Sequence, residues 1–509
     1  MGKILEQKIV RFDGGIADDP RQPLNNVGSL IKHFDVFSNP YKMSPYRSTE
    51  TDTNDGSTET GMKQYDVRNF QLGLNGKLYG LGKTAAGYPK IVSKATPASG
   101  NWTLEATAEG NAARFVECFI EWQGAYWFLQ GDSSIAKWVI ATNTITNAVG
   151  NTASSIVTTA QGVIGSDNNL YIPYNNKIAR ISPAGAVTNN VFTAIPGDMR
   201  ITSMCRYGSY IAIACAYGTT TTAIPFGRSL VVLWDMVQTT IASDVIDFGE
   251  GALKAIGNVE GMIVGISDNY LTSSTLALNK GSMVIRTWSG GIPKVFKEIV
   301  ANQSTGRLLS EVVLKNNKMY WIASVPFNQS TSTESTYHLG IWVFGRKNSG
   351  SNFAISIDTI EENIDTANFK INSFGSAGGY WFINHSADGS ITKTDDTTNY
   401  TFTSIYESQI FNNEDSSQVK KLIGVTVFTA PMPISGQIVL TYRKDEETSY
   451  TTVFTNTTND SISYSAVNIE SSGVNIPEYK EIQFRIESTG GAEITGFKFK
   501  YELISSDLY

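Results

Sequence analysis

An all-β chain, a β-propeller followed by a small antiparallel β-sandwich, is what three features of the sequence predict. A turn-plus-aromatic phrase recurs through the middle of the chain. Clean period-2 alternation takes over after Tyr400. Helix signals are weak throughout, with only Ile360-Glu361-Glu362-Asn363-Ile364-Asp365 offering a turn or two.

The phrase is a polar turn, then aromatic or β-branched residues, then a second strand-like run. It reads Asn75-Gly76-Lys77-Leu78-Tyr79, Gln123-Gly124-Ala125-Tyr126-Trp127 and Asn168-Asn169-Leu170-Tyr171. It returns as Tyr207-Gly208-Ser209-Tyr210, Glu260-Gly261-Met262-Ile263, Asn316-Asn317-Lys318-Met319-Tyr320 and Ala377-Gly378-Gly379-Tyr380-Trp381. The spacing is roughly 40 to 60 residues, the period of a propeller blade rather than of sandwich turns. Seven units can be counted, so a seven-bladed ring over residues 66–398 is expected. A blade cannot bury its own faces, and radial packing covers them. Asn-Gly and Gly-Gly supply the tight reversals, while the aromatic residues fill the space between blades.

Residues 1–65 read differently. Ile4 to Phe12 suits one strand and Ser29 to Phe37 another, with Asp13-Gly14-Gly15, Asp18-Asp19-Pro20, Asn39-Pro40 and Ser44-Pro45 as breaks. An extended arm is expected, packed on the propeller as a closing strand or reaching a neighbouring subunit; both alternatives stay open. Residues 399–509 carry period-2 strands such as Lys421 to Phe428, Gln437 to Tyr442, Glu481 to Ile486 and Thr495 to Tyr501, the pattern of an antiparallel sandwich.

Composition narrows the function. The formal charge is −7, and no cluster of Lys and Arg suits a phosphate backbone, so nucleic-acid recognition is not expected. Lys420-Lys421 and Arg346-Lys347 are isolated pairs, expected to be solvated. No apolar stretch near 18 residues spans a membrane, no signal peptide opens the chain, and Glu6 breaks a myristoylation motif. Cys118, Cys205 and Cys215 form neither a metal pattern nor an even disulfide set and read as buried free thiols.

No catalytic, cofactor or metal residue is expected. The three histidines, His33, His338 and His385, lack a Gly-x-Ser-x-Gly elbow and read as surface or hairpin residues. Asp52-Thr53-Asn54-Asp55-Gly56 fails as a calcium loop because Lys63 stands where the last ligand belongs. Asp388-Gly389 reads as a hairpin turn rather than a sialidase Asp-box, and Glu361-Glu362 and Asp445-Glu446-Glu447 as solvated charge runs.

Both ends of the chain resemble a known class. The run Phe12-Asp13-Gly14-Gly15-Ile16-Ala17-Asp18-Asp19-Pro20, and His33 to Pro40 with Met43-Ser44-Pro45, resemble openings of tailed-bacteriophage structural proteins. The runs Gln437 to Arg443, Tyr479 to Arg485 and Gly496 to Tyr501 resemble a sandwich module of the same proteins. The resemblance implies a non-enzymatic virion component of the tail: hub, nozzle, collar or baseplate region. Its expected partners are other virion proteins in a homo-oligomeric ring. A phage receptor protein that binds host glycan, and a propeller glycosidase, are the alternatives.

Overall fold

The structure, a computed structural model, describes residues 4–17, 26–52, 67–83, 89–107, 116–130, 134–151, 160–219, 222–223, 228–268, 281–301, 308–326, 337–347, 349, 351–360, 371–385, 391–394, 400, 402–412, 417–467 and 478–504. All regular structure among these residues is β.

Seven sheets built on four antiparallel strands follow one another and form a β-propeller. They occupy residues 68–107, 116–151, 163–188, 199–250, 252–301 and 308–360, with the last sheet at 371–394; we call them blades 1 to 7. The first and second strands of five blades are joined by two-residue hairpins, at 123–124, 208–209, 260–261, 316–317 and 378–379. In four of these hairpins both turn residues have positive φ: Gln123-Gly124, Glu260-Gly261, Asn316-Asn317 and Gly378-Gly379. That is the type I′ geometry whose twist matches the strands, which explains the Asn and Gly of the recurring phrase.

The aromatic residues of the phrase carry a second repeat. Tyr79 accepts from the Asn75 amide at 2.8 Å, and Tyr126 and Tyr171 donate to Glu121 at 3.2 Å and Asp167 at 2.6 Å. On the third strands, Trp138 donates to Asn143 Oδ1 at 2.9 Å and Trp288 to the Gly291 carbonyl at 2.9 Å. Each ring is thus buried between blades while its polar atom meets a partner nearby in its own blade, and the Tyr126, Tyr171, Trp138 and Trp288 donors are thereby satisfied.

Blade 7 takes its fourth strand from the other end of the chain. Thr49–Thr51 lies antiparallel to Ile391–Thr394, with Lys393 opposite Glu50. The chain's own N-terminal segment therefore completes the last blade.

The sandwich has two sheets. One runs in the order Ile4–Ile9, Ile494–Leu503, Lys420–Thr429, Ser463–Val467. The other contains Ser404–Glu407, Ile482–Thr489, Gln437–Lys444 and Thr451–Asn456. Phe484 meets Phe497 and Phe499 between them, with ring centroids 4.8 and 4.9 Å apart. Leu30–Lys32 lies between blade 6 and the sandwich, parallel to Ala354–Ile360 and antiparallel to Ser404–Glu407. Blade 6 and one sandwich sheet are consequently a single nine-stranded sheet. One buried apolar cluster runs from Met283, Trp321 and Trp342 in the blades to Phe484 and Phe499 in the sandwich. The N-terminal segment thus contributes Ile4–Ile9, Leu30–Lys32 and Thr49–Thr51 to three larger sheets of its own chain, and pairs Gly15–Ile16 with Val27–Gly28 and Phe34–Asp35 with Ser44–Pro45 in two small ones.

Candidate functional site

The inner strands of the propeller share a feature invisible in the sequence. Register shifts interrupt the first strand of six blades, at Arg68/Gln71, Glu117/Ile120, Ile201/Ser203, Leu253/Ala255, Leu308/Val312 and Ile371/Ser373. Bulges bend a strand and re-aim its side chains. Asn69 and Cys118 sit at two of them with φ of 55° and 60°.

The re-aimed groups join neighbouring blades. Gln71 donates to the Phe119 carbonyl, and the Gly162 amide donates to Cys118 Sγ at 3.0 Å. The Ile201 amide reaches Asn175 O at 2.8 Å, and the Ile256 amide reaches Ser203 Oγ at 3.2 Å. Glu311 of blade 6 accepts from Ser373 Oγ at 2.9 Å and the Phe374 amide at 3.0 Å. The Asn69 amide of blade 1 donates to Ser373 Oγ at 2.7 Å, which ties blade 7 back to blade 1. Gln161, at the entry to blade 3, donates to Asn69 of blade 1 and so skips blade 2. Polar groups here hold the ring shut.

The junction of blades 7 and 1 holds a dry ion pair. Lys94 Nζ stands 2.9 and 2.8 Å from the two oxygens of Asp52, and both side chains are 0 % exposed. Trp102 Nε1 donates to Asp52 Oδ2 at 3.0 Å. Asp52 directly follows the closing strand, and its amide donates to Ile391 O at 2.9 Å. Trp102, which caps the pair, packs with Phe70 and Phe382 in a buried apolar cluster. Burying two charges is costly, and the geometry returns that cost only while both partners are present. Asp52 is therefore a latch residue; Thr53 to Gly56 and Lys63 of the rejected calcium loop lie outside the described residues.

His33 corrects its sequence reading as a surface or hairpin residue. It is fully buried, with φ 61°, where the N-terminal segment, blade 6 and the sandwich meet. Its amide donates to Ile357 O at 3.1 Å, and its carbonyl accepts from the Tyr46 amide at 3.1 Å and Ser404 Oγ at 2.9 Å. Nδ1 faces the Asp358 carbonyl at 3.1 Å; a carbonyl only accepts, so Nδ1 carries the proton. Burial pulls the imidazole down to about 4, so it is neutral near pH 7. Among the described residues no serine hydroxyl meets its Nε2, and the ring acts as packing. The side chains of His338 and His385 lie outside the described residues, as do Glu361-Glu362 and Asp388-Gly389.

Two lysine–arginine readings also change. Lys420 is buried, donating to the carbonyls of Gln418 at 2.9 Å and Lys480 at 3.1 Å, because those two chain passes close over it. Arg346 pairs with Glu260 across blades 5 and 6 and stacks on Phe353 at 4.7 Å. Both cations are structural ties. Asp445 lies on the surface, as expected for that charge run, and accepts the Lys480 and Glu481 amides at 2.8 and 3.0 Å. All three cysteines are buried and free, and burial pushes Cys205 and Cys215 up to about 12.

The glycosidase alternative needs two carboxylates facing each other across the ring. Glu311 has both oxygens engaged in holding blade 7. Asp268 is pushed up by burial, and the charge it faces is that of Lys254, itself pulled down by burial. Among the described residues, no group of three or more His, Cys, Asp or Glu could hold a metal ion. All nine tryptophans are buried, which leaves none as a stacking platform for a sugar ring.

No known family model and no curated protein matches the chain. Solved structures similar to it include the WD40 β-propeller domain of Doa1, at 10 % identity and TM-score 0.42, covering 66 % of this chain and 95 % of that one. BamB from Moraxella catarrhalis is 11 % identical with TM-score 0.36, covering 62 % and 78 %. An exo-β-1,3-galactanase from Phanerochaete chrysosporium is 10 % identical with TM-score 0.32, covering 89 % and 100 %. These likenesses concern architecture and assign no activity; the propeller itself is established by the sheets described above.

Proposed function

We propose that the chain is a non-enzymatic structural component of a tailed-phage particle, sited in the tail region and repeated in a symmetric ring with other virion proteins. One observation carries the reading beyond the resemblance of its two ends. The N-terminal segment adds a strand to the sandwich, bridges it to blade 6 and latches blade 7, tying two folds into one stiff body. The groups that could carry chemistry are used as ties: Asp52, Lys94, Glu311 and His33 all hold one strand against another. A body tied at these three points suits load-bearing and subunit contact. Gold-labelled antibody to the chain, viewed on purified particles by electron microscopy, tests this. Label at one fixed place on the tail supports the reading, and no label on intact or opened particles refutes it.

A further inference from the structure

From the edge of the sandwich we infer a self-complementary docking strand, whose partner is a second copy of this chain. The inference does not depend on the virion reading. Ile4–Ile9 is the terminal strand of its sheet and, among the described residues, has Ile494–Leu503 as its one neighbour there. Its outward face carries Ile4, Glu6 and Lys8, continued by Val10; Ile4 is 61 % exposed and Val10 40 %. A long edge strand with exposed apolar residues is a template for another strand unless it is covered.

The sequence Ile-Leu-Glu-Gln-Lys-Ile-Val over residues 4–10 is palindromic in character. Antiparallel pairing with a second copy, centred on Gln7, sets Glu6 opposite Lys8, Leu5 opposite Ile9 and Ile4 opposite Val10. Centring on Glu6 or on Lys8 instead sets like charges face to face, which is unfavourable for directly opposed residues. Only the Gln7 register among these three matches charge with charge and apolar with apolar. Glu6 lies 3.8 and 3.5 Å from Lys498 and Lys500 on the same sheet, so that face has more lysines than acids around it. In the paired register the second copy's Glu6 comes beside Lys8. The contact is isologous, with both copies using the same patch about a two-fold axis.

Sedimentation of the full chain over a concentration series tests it, with a reversible dimer expected. Glu6→Lys alone and Lys8→Glu alone each set like charges opposite and weaken dimerisation by about tenfold or more. An equimolar mixture of the two variants restores it, because the lysines at positions 6 and 8 of one chain then face the glutamates at positions 8 and 6 of the other. A Gln7→Cys chain cross-links to itself under mild oxidation, since the axis brings the two Cα atoms within disulfide reach and the native thiols are buried. A monomer at every soluble concentration overturns the inference. So does a dimer indifferent to both charge variants with no cross-link through the introduced cysteine.

Discussion

Removing one partner of the latch between blades 7 and 1 gives the sharpest test of how the ring is held. Lys94→Met leaves the Asp52 carboxylate in a site that is 0 % exposed, with the Trp102 N–H as its remaining side-chain donor among the described residues. Breaking a buried pair from one side costs about 3–5 kcal/mol. The entropy of unfolding is about 2.1 cal/mol/K per residue, so over 509 residues it is about 1 kcal/mol/K. The expected fall in Tm is therefore about 3–5 °C if the chain unfolds as one unit. Scanning calorimetry reads it directly. The pair as a whole contributes less than its halves suggest, because burying both charges is itself costly. Lys94→Met combined with Asp52→Leu and Trp102→Phe removes both charges and the donor that would be orphaned. That triple variant should recover most of the loss. Single variants within about 1 °C of the parent would refute the reasoning, since water would then be reaching the pair.

Three further outcomes follow from the same geometry. His33 is neutral in the fold, with its pKa lowered to about 4 against an ordinary 6.5, so the unfolded chain binds the extra proton. Stability is then lost as pH falls from 6.5 towards 4, by about 3 kcal/mol in total. His33→Asn tolerates the positive φ and should flatten that part of the stability profile; an unchanged slope removes the assignment. A Cβ at Gly375 would stand 2.5 Å from the Phe70 carbonyl oxygen, where blade 7 meets blade 1. Gly375→Ala should lower stability by about 1–3 kcal/mol in urea titration, and a neutral result would mean the inner strands part easily. Cys118, Cys205 and Cys215 should give no reaction with a thiol reagent at about pH 8 until the chain is denatured, and fast labelling of the native protein would contradict their burial.

The propeller is legible in the sequence because its turns are local. Gln123-Gly124 or Gly378-Gly379 specifies a reversal within two residues, and the aromatic residue after it must be buried wherever the blade stands. The sandwich is legible for the same reason, through period-2 alternation in runs such as Ile482–Thr489. What joins the two is not. Asp52 and Lys94 are 42 residues apart, and nothing near either marks the other as its partner. Asp52 stands at the head of a run that resembles a metal loop, so local pattern points away from its role. His33 is held by Asp358 and Ser404, 325 and 371 residues away, and Lys420 by a carbonyl 60 residues on. The inner-strand bulges escape periodicity because each is set by the partner strand and the neighbouring blade. Long-range polar ties leave a sequence looking like scattered surface charge.

The most direct measurement of the central claim is the stoichiometry of this chain in purified tailed particles, by quantitative mass spectrometry against the major capsid and tail proteins. The expected result is a fixed whole number of copies per particle that persists through density-gradient purification. Absence from the particles, or a variable trace that washes away, would contradict the structural role and leave the chain to be tested on polysaccharides instead.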